Sequence, residues 1–326
     1  MSQPTVSRAL RGDSTISPIT RRRVEFIAQE LGYKVDKNAS NLRGQHSQTI
    51  AILFFEDQRF AASLINPFFL SMLGSITGAC AKRGYDLLIS CQHLSTNWRN
   101  DYEDSRKADG IILLGYDDFL TYSAELERLV EQGTHFVHYG AALERHPGLS
   151  VGCDDYRSGL DATRHLISLG RRNIAFLGTA SNHYPEFFGR YRGYVDALQA
   201  AGLPVTPELQ ADAVSNLLDG EKASRQIVAC GKPFDAVFAA SDLIAIAALG
   251  VLRDNGIAVP EQVSVIGFDD IPAASMVTPP LTTMRQDIHA AGEVLVDTLL
   301  KLMHGEEAEG TVLPCKLVIR KSCGAG

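Results

Sequence analysis

Hydrophobic runs of strand length alternate with amphipathic segments from residue 49 to near the end of the chain. The run Thr49–Glu56 is almost wholly apolar, whereas Pro67–Arg83 repeats apolar side chains at helical spacing after a capping Asn66. Strands that are apolar on both faces are typical of parallel sheets covered by helices on both sides, and such sheets need β-α-β connections. The pattern therefore predicts an α/β fold.

The rest of this region continues the alternation. Further strands are predicted at 85–91, 109–114, 135–139, 173–178, 236–240 and 263–267, and helices at 118–132, 156–169, 186–201, 217–229, 243–255 and 286–304. The strands form two successive sets, which favours two parallel sheets flanked by helices. Ligands of such sheets bind beyond the carboxyl ends of the strands.

The segment Ser2–Arg11 has the pattern of a short amphipathic helix. Pro4 suits the first turn, and Val6 and Leu10 share one face. The opposite face carries small polar groups and a guanidinium fork, which hold phosphate oxygens and read guanine edges in DNA. The candidate DNA contacts are Ser2, Gln3, Pro4, Thr5, Ser7 and Arg8. The alternative is an ordinary amphipathic helix with no nucleic-acid role.

A second helix is predicted to begin at Pro18, with Ser17 as its cap, and to end at Gly32. Its apolar side chains recur at i, i+3, i+4 and i+7, and they are Val24, Ile27, Ala28 and Leu31. This spacing forms one apolar stripe. Two helices of this kind are typical of a helix-turn-helix DNA-binding unit.

The chain resembles the LacI/GalR (lactose-repressor) family of bacterial transcription regulators. The resemblance rests on Ser2, Thr5, Val6, Ser7 and Arg8, on Thr20, Arg21, Val24, Leu31, Gly32 and Tyr33, and on Asn38, Leu42 and Arg43, and it extends to near the C-terminus. It implies a two-lobed periplasmic-binding-protein-like fold preceded by a helix-turn-helix headpiece and a hinge. Relative to the family the headpiece lacks about one helix, so we expect an incomplete, loosely docked headpiece. Our hypothesis is that Met1 marks an internal start.

The resemblance also implies a domain organisation. The expected parts are a headpiece at 1–36, a hinge at 37–48, a first lobe at 49–152 and 281–311, and a second lobe at 153–280 and 312–326. The family's hinge helices place a leucine at the position of Leu42, next to Arg43, as a minor-groove wedge that kinks the duplex. The alternative for the hinge is a solvated linker.

The family's effector site transfers onto positions at strand ends and helix starts, namely Asn66, Phe68, Phe69, Tyr139, Arg190, Asp242 and Asp269. Arg190 occupies the position of a hydroxyl-binding arginine, whose fork can hold two vicinal hydroxyls. Aromatic rings could stack on a sugar, and the carboxylates could accept its hydroxyl hydrogen bonds. Other interpretations stay open: Phe68 and Tyr139 as core residues, Asp242 as a helix-dipole acid, and Asp154–Asp155 as caps and crossover supports.

Composition excludes several classes of protein. The hydrophobic content of 45% is ordinary for a globular chain, and no run of about eighteen apolar residues or export signal occurs, so we expect a cytoplasmic protein with no membrane partner. Six cysteines form no CxxC pair, which argues against a metal site or a disulfide framework. Neither a P-loop, a GxGxxG nor an HExxH motif is present, so we expect no enzyme and no cofactor.

Charge is distributed unevenly along the chain. Residues 1–48 hold eight basic and four acidic side chains, although the whole chain carries a net charge of −7. A basic head on an acidic body fits a protein that contacts phosphate at one end. Together with this charge pattern, the LacI/GalR resemblance implies a ligand-responsive DNA-binding repressor, a homodimer or tetramer, that binds operator DNA and a small carbohydrate. The alternatives are a cytoplasmic sugar-binding sensor without DNA binding and, less in keeping with the motifs, an enzyme on a doubly wound fold.

Overall fold

The computed structural model describes residues 1–10, 13–31, 46–55, 66–92, 97–115, 118–141 and 147–325. By internal contacts the chain divides into two units, residues 1–48 and 49–326. The predicted hinge contacts Leu42 and Arg43 lie outside the described residues.

In the first unit, the described residues form the helices α1 (Gln3–Leu10) and α2 (Pro18–Glu30). Ser17 caps α2 as predicted, since its hydroxyl accepts a hydrogen bond from the Thr20 amide at 3.2 Å. Val24 is buried, but Ile27 and Leu31 of the predicted stripe are exposed. With eight residues, α1 is too short to cover the thirteen residues of α2.

The second unit alternates strands and helices. Its described strands are β1 (Thr49–Phe55), β2 (Asp86–Gln92), β3 (Gly110–Leu114), β4 (Phe136–Tyr139), β5 (Leu149–Cys153), β6 (Ile174–Leu177), β7 (Gln210–Ala211), β8 (Ala236–Ala239), β9 (Ser264–Asp269), β10 (Thr282–Arg285), β11 (Thr311–Leu313) and β12 (Lys316–Val318). Its described helices are α3 (Pro67–Lys82), α4 (Phe119–Glu131), α5 (Asp155–Ser168), α6 (Pro185–Ala200), α7 (Leu217–Ala229), α8 (Asp242–Asp254) and α9 (Ile288–Met303).

The strands form two six-stranded sheets, one in each lobe. The first has the order β11-β5-β4-β3-β1-β2, and the second has the order β12-β10-β9-β8-β6-β7. The described strand pairs are parallel except for β10 with β12. The predicted α/β fold with two parallel sheets flanked by helices is confirmed. Among the described residues, no helix is long and apolar enough to cross a membrane.

The chain passes between the sheets at three places. It leaves the first sheet after Cys153, returns after Arg285, and passes once more through Pro314–Cys315, between β11 and β12. Sheet membership differs from the predicted lobe boundaries at three places, because Cys153 and β11 (Thr311–Leu313) belong to the first sheet and β10 (Thr282–Arg285) belongs to the second. The buried part of β10 contains two threonines, so its pattern does not stand out as an apolar strand.

Helices α5 and α6 cross with their backbones in close contact. A Cβ on Gly159 would lie 2.2 Å from the Arg190 carbonyl oxygen, and one on Gly193 would lie 2.1 Å from the Tyr156 carbonyl oxygen. Side chains at either position would force the helices apart. The crossing brings the start of α5 beside the middle of α6, and these two segments supply Asp155 and Arg190 of the candidate site.

Candidate functional site

A cavity of about 290 Å³ lies between the two lobes. Phe68 and Ser71 of α3 and Ile288 of α9 line it from the first lobe, while Asp269 and Pro272 line it from the second. Of the seven predicted effector residues, the cavity is thus lined by Phe68 and Asp269. Ligand cavities of parallel sheets lie at the carboxyl ends of the strands, and Asp269 is the last residue of β9.

Arg190, on α6, is fully buried behind this cavity. Its Nε donates a hydrogen bond to Asp155 Oδ1 at 2.8 Å, and its NH1 donates to the Ala240 carbonyl oxygen. The guanidinium carbon lies 3.5 Å from the centroid of the Phe268 ring, on which the group stacks. The side chain is therefore held in one orientation on a rigid support. In this arrangement Arg190 has no exposed surface.

Three carboxyl groups surround this one guanidinium. Asp155, Glu186 and Asp269 are all buried. Burial raises the pKa of Asp269 to about 7, although Arg190 and the Gln286 amide oppose the change. Burial also raises the pKa of Asp155 and of Glu186, and Arg190 again opposes it. A carboxyl group with a pKa near 7, such as that of Asp269, can donate or accept a hydrogen bond near neutral pH, which suits a ligand with many hydroxyls.

Asp242 has a different role from the one predicted. Its Oδ2 accepts a hydrogen bond from the Ile271 amide at 2.9 Å, and its Oδ1 accepts one from the Thr283 hydroxyl at 2.6 Å. The residue is fully buried, and burial raises its pKa well above the usual value. Asp242 thus holds the turn that follows Asp269 and does not itself line the cavity.

Phe68, Phe69 and Tyr139 form one aromatic cluster in the core of the first lobe. The ring centroids of Phe68 and Phe69 are 5.2 Å apart, and those of Phe69 and Tyr139 are 6.4 Å apart. The Tyr139 hydroxyl hydrogen-bonds to Gln286 Oε1, and Gln286 Nε2 donates to Asp269 Oδ1 at 2.8 Å. The interpretation of Tyr139 as a core residue is therefore supported, and Gln286 links the cluster to the carboxyl group in the cavity.

Asn66 caps α3, since its Oδ1 accepts from the Phe68 amide at 3.0 Å. Its Nδ2 donates to the Ser215 hydroxyl in the second lobe, also at 3.0 Å. Glu186 makes a second bridge, because its Oε1 accepts from the Ala141 amide at 3.0 Å. These hydrogen bonds hold the facing edges of the lobes together.

The sequence did not identify Glu186, Gln286 or Ser215 as site residues. Glu186 and Arg190 are one helical turn apart, a spacing that in a sequence resembles a solvent-exposed ion pair. Gln286 and Ser215 lie in connections, and no periodic pattern marks them. A signal for Gln286 is its place directly after β10, in the crossover between the lobes.

The predicted DNA-contacting residues lie on or beside α1. Gln3, Pro4 and Arg8 are exposed, and the Ser2 hydroxyl lies 2.8 Å from the Thr5 hydroxyl. Ser7 is half-buried. In the part of the chain that the structure describes, no group of His, Cys, Asp and Glu side chains is arranged to hold a metal ion.

Comparison with known proteins matches both units of the chain. Residues 1–36 match the bacterial regulatory proteins of the lacI family, and residues 163–323 match the periplasmic binding protein-like domain. The HTH-type transcriptional repressor CytR of Escherichia coli strain K12 is 31% identical over all of this chain and 94% of its own length. The HTH-type transcriptional regulator CelR of Thermobifida fusca is 31% identical over 98% of this chain and 94% of its own length.

Solved structures agree with these matches. A CelR–cellobiose complex superposes with a TM-score of 0.75 and 29% identity, covering 99% of this chain and 96% of that chain. A lac repressor dimer bound to operator and the anti-inducer ONPF superposes with a TM-score of 0.82 at 23% identity, with the same coverage, and supports the fold.

Proposed function

This chain belongs to the lacI family of bacterial regulatory proteins, and from that premise we propose that it is a transcription repressor with two binding activities. Its headpiece binds operator DNA, and the cleft between its lobes binds a small carbohydrate. The observation that carries the second activity is the buried group of Asp155, Arg190 and Asp269 beside the cavity between the lobes.

The chemistry of the cleft favours a carbohydrate. Phe68 offers an apolar surface to a sugar ring, while Asp269 and Ser71 offer hydrogen-bonding groups on two sides of the cavity. The volume of about 290 Å³ is at the small end of ligand pockets. We propose that Arg190 joins these contacts in the complex, and that the observed arrangement, with its bridges from Asn66 and Glu186, is a closed one.

Regulation then follows from the two lobes. A ligand that prefers one lobe orientation shifts the population toward it. In a homodimer or tetramer, the lobe orientation sets the spacing of the two hinge segments, so effector affinity and operator affinity are linked. The proposed DNA contacts are Arg8 and its neighbours on α1, together with Leu42 and Arg43 of the hinge.

DNA binding is tested by selecting duplexes from a random library and measuring their affinity by fluorescence anisotropy over a range of salt concentrations. We expect an enriched palindromic sequence whose affinity falls steeply with salt. The variant Arg8→Ala should reduce the salt slope by about one if Arg8 contacts a phosphate. Arg253→Ala, which alters an exposed residue of α8, is the matched control. Absence of any enriched sequence would remove the DNA activity and leave the sugar-sensor alternative.

Effector binding is tested by calorimetry against a panel of monosaccharides and disaccharides that includes cellobiose. We expect one member to bind and Asp269→Asn to weaken that binding at least tenfold, since a buried hydrogen bond to a charged group contributes about 1.5–3 kcal/mol. Asp254→Asn at the exposed end of α8 should leave affinity unchanged. If every saccharide fails to bind, or if Asp269→Asn binds as well as the parent protein, the carbohydrate assignment is wrong.

A further inference from the structure

Two cysteines lie side by side on two of the three connections between the lobes. Cys153 ends β5, and its backbone is paired with Leu313 of β11 in the parallel ladder. Cys315 follows two residues later, in the short link from β11 to β12. The two sulfurs are in hydrogen-bonding contact. This thiol pair therefore spans the first and third crossovers.

The two thiols differ in a way that suits sequential oxidation. Cys153 is buried, whereas Cys315 keeps part of its surface exposed. Their mutual hydrogen bond lowers the pKa of Cys315 and raises the pKa of Cys153. The thiolate is the reactive form of cysteine, so Cys315 is the attacking group and Cys153 the resolving group.

We propose that Cys153 and Cys315 form a reversible disulfide at the hinge between the lobes when the protein meets a hydroperoxide. In a cytoplasmic protein, disulfides are usually transient and redox-sensing, which fits a pair placed at moving connections. The thiol pair is present whatever effector the cleft binds, so this proposal does not rest on the proposed function.

The reaction balances with hydrogen peroxide as the oxidant. The Cys315 thiolate attacks one peroxide oxygen, the O–O bond breaks, and the other oxygen leaves as hydroxide and takes a proton to become water. Cys315 is then a sulfenic acid. The Cys153 sulfur attacks the sulfenic sulfur, an S–S bond forms, and the S–O bond breaks to release a second water. Two electrons pass from the two sulfurs to the peroxide.

Asp155 couples this chemistry to the candidate site. Its Oδ1 accepts hydrogen bonds from the Cys153 thiol at 3.4 Å and from Arg190 Nε at 2.8 Å. Asp155 can take the Cys153 proton during resolution, and the thiol donor disappears once the disulfide forms. The disulfide also ties two connections that must move when the lobes open. Oxidation should therefore slow lobe opening.

The site is tested on the reduced full chain with hydrogen peroxide, followed by alkylation and peptide mapping by mass spectrometry without reductant. We expect a cross-linked peptide that joins Cys153 to Cys315 and is released by a dithiol. In Cys153→Ser, Cys315 should stop at the sulfenic acid, which a cyclic 1,3-dione traps. Cys230→Ser alters another partly exposed thiol and should leave the cross-link intact. Absence of the cross-link, or oxidation of Cys315 no faster than that of Cys230, would overturn the proposal.

The coupling to lobe motion has its own measurement. The Phe119 amide donates to the His183 carbonyl oxygen at 2.8 Å and the Ala141 amide donates to Glu186, so hydrogen exchange at these amides reports opening of the cleft. Peroxide should slow both exchange rates several-fold, and the double variant Cys153→Ser/Cys315→Ser should show no response. Equal rates in the reduced and the cross-linked protein would overturn the proposed control of lobe opening.

Discussion

The variant Asp269→Asn should stabilise the protein at neutral and alkaline pH. Asp269 is buried, and its pKa rises from 3.8 to about 7 on folding. Between these two values the folded protein binds more protons at this site than the unfolded chain does. The free energy of unfolding therefore falls as pH rises through this window, and the stability from the neutral carboxyl is lost above pH 7.

The magnitude follows from the pKa change. Raising a pKa from 3.8 to about 7 disfavours the ionised form by about 4 kcal/mol in the folded state. About 3 kcal/mol of this develops between pH 5 and pH 8. Asparagine has nearly the same shape, keeps an oxygen that can accept from Gln286, and tolerates the backbone φ of +112° at this position. It introduces no charge, so it should remove the pH dependence of this one group.

The measurement is urea denaturation of the parent protein and of Asp269→Asn at several pH values from 5 to 8. The free energy of unfolding of the variant should rise relative to that of the parent by about 3 kcal/mol across the range. Asp254→Asn, at the exposed end of α8, is the control and should follow the parent. A difference between Asp269→Asn and the parent that stays constant with pH would refute the electrostatic reasoning.

Three further variants test the packing around the site, each by urea denaturation. Gly193→Ala should destabilise the protein by about 3 kcal/mol because its methyl group meets backbone atoms. The control Gly250→Ala, with open space at its Cβ, should stabilise the protein by about 0.5–1 kcal/mol. Equal effects of the two substitutions would contradict the close helix crossing. Asn66→Ala should cost about 1–2 kcal/mol through loss of a cap and an interlobe hydrogen bond, and a neutral result would show that neither matters. Arg190→Ala should cost about 3–5 kcal/mol because buried Asp155 loses its partner, and a smaller cost in the double variant with Asp155→Asn would confirm the coupling.

Local signals in the sequence predicted the elements well where a cap or an apolar run defined them. Asn66 caps its helix as predicted, and Asp118 caps the helix that was predicted to begin at residue 118; each capping side chain bonds to an amide two residues away. Strand β1 is apolar along most of its length and was predicted to within one residue. By contrast β10, with its two buried threonines, was not predicted as a strand, and its sheet membership depends on pairing with β9 and β12, which no local pattern shows.

Only part of the candidate site could be predicted from the sequence. The choice of Arg190 and Asp269 as candidate site residues followed from the family resemblance, but their burial could not be predicted from it. The contact of Arg190 with Asp155 joins residues 35 positions apart, and it depends on how α5 crosses α6. Asp242 was assigned to the ligand because a sequence shows that a carboxylate begins a helix, not that Thr283 and a backbone amide already occupy it.

The close crossing of α5 and α6 constrains one side of the candidate site more than the other. Because there is no room for a side chain at Gly159 or Gly193, the two helices pack as one rigid helix pair, which carries both Asp155 and Arg190. Substitutions that change ligand preference are then more readily tolerated on the first-lobe side of the cavity, at Ser71 or Phe68, than in this helix pair. Among proteins of this fold with different ligands, the residues of the helix crossing should stay constant while the first-lobe residues that line the cavity vary.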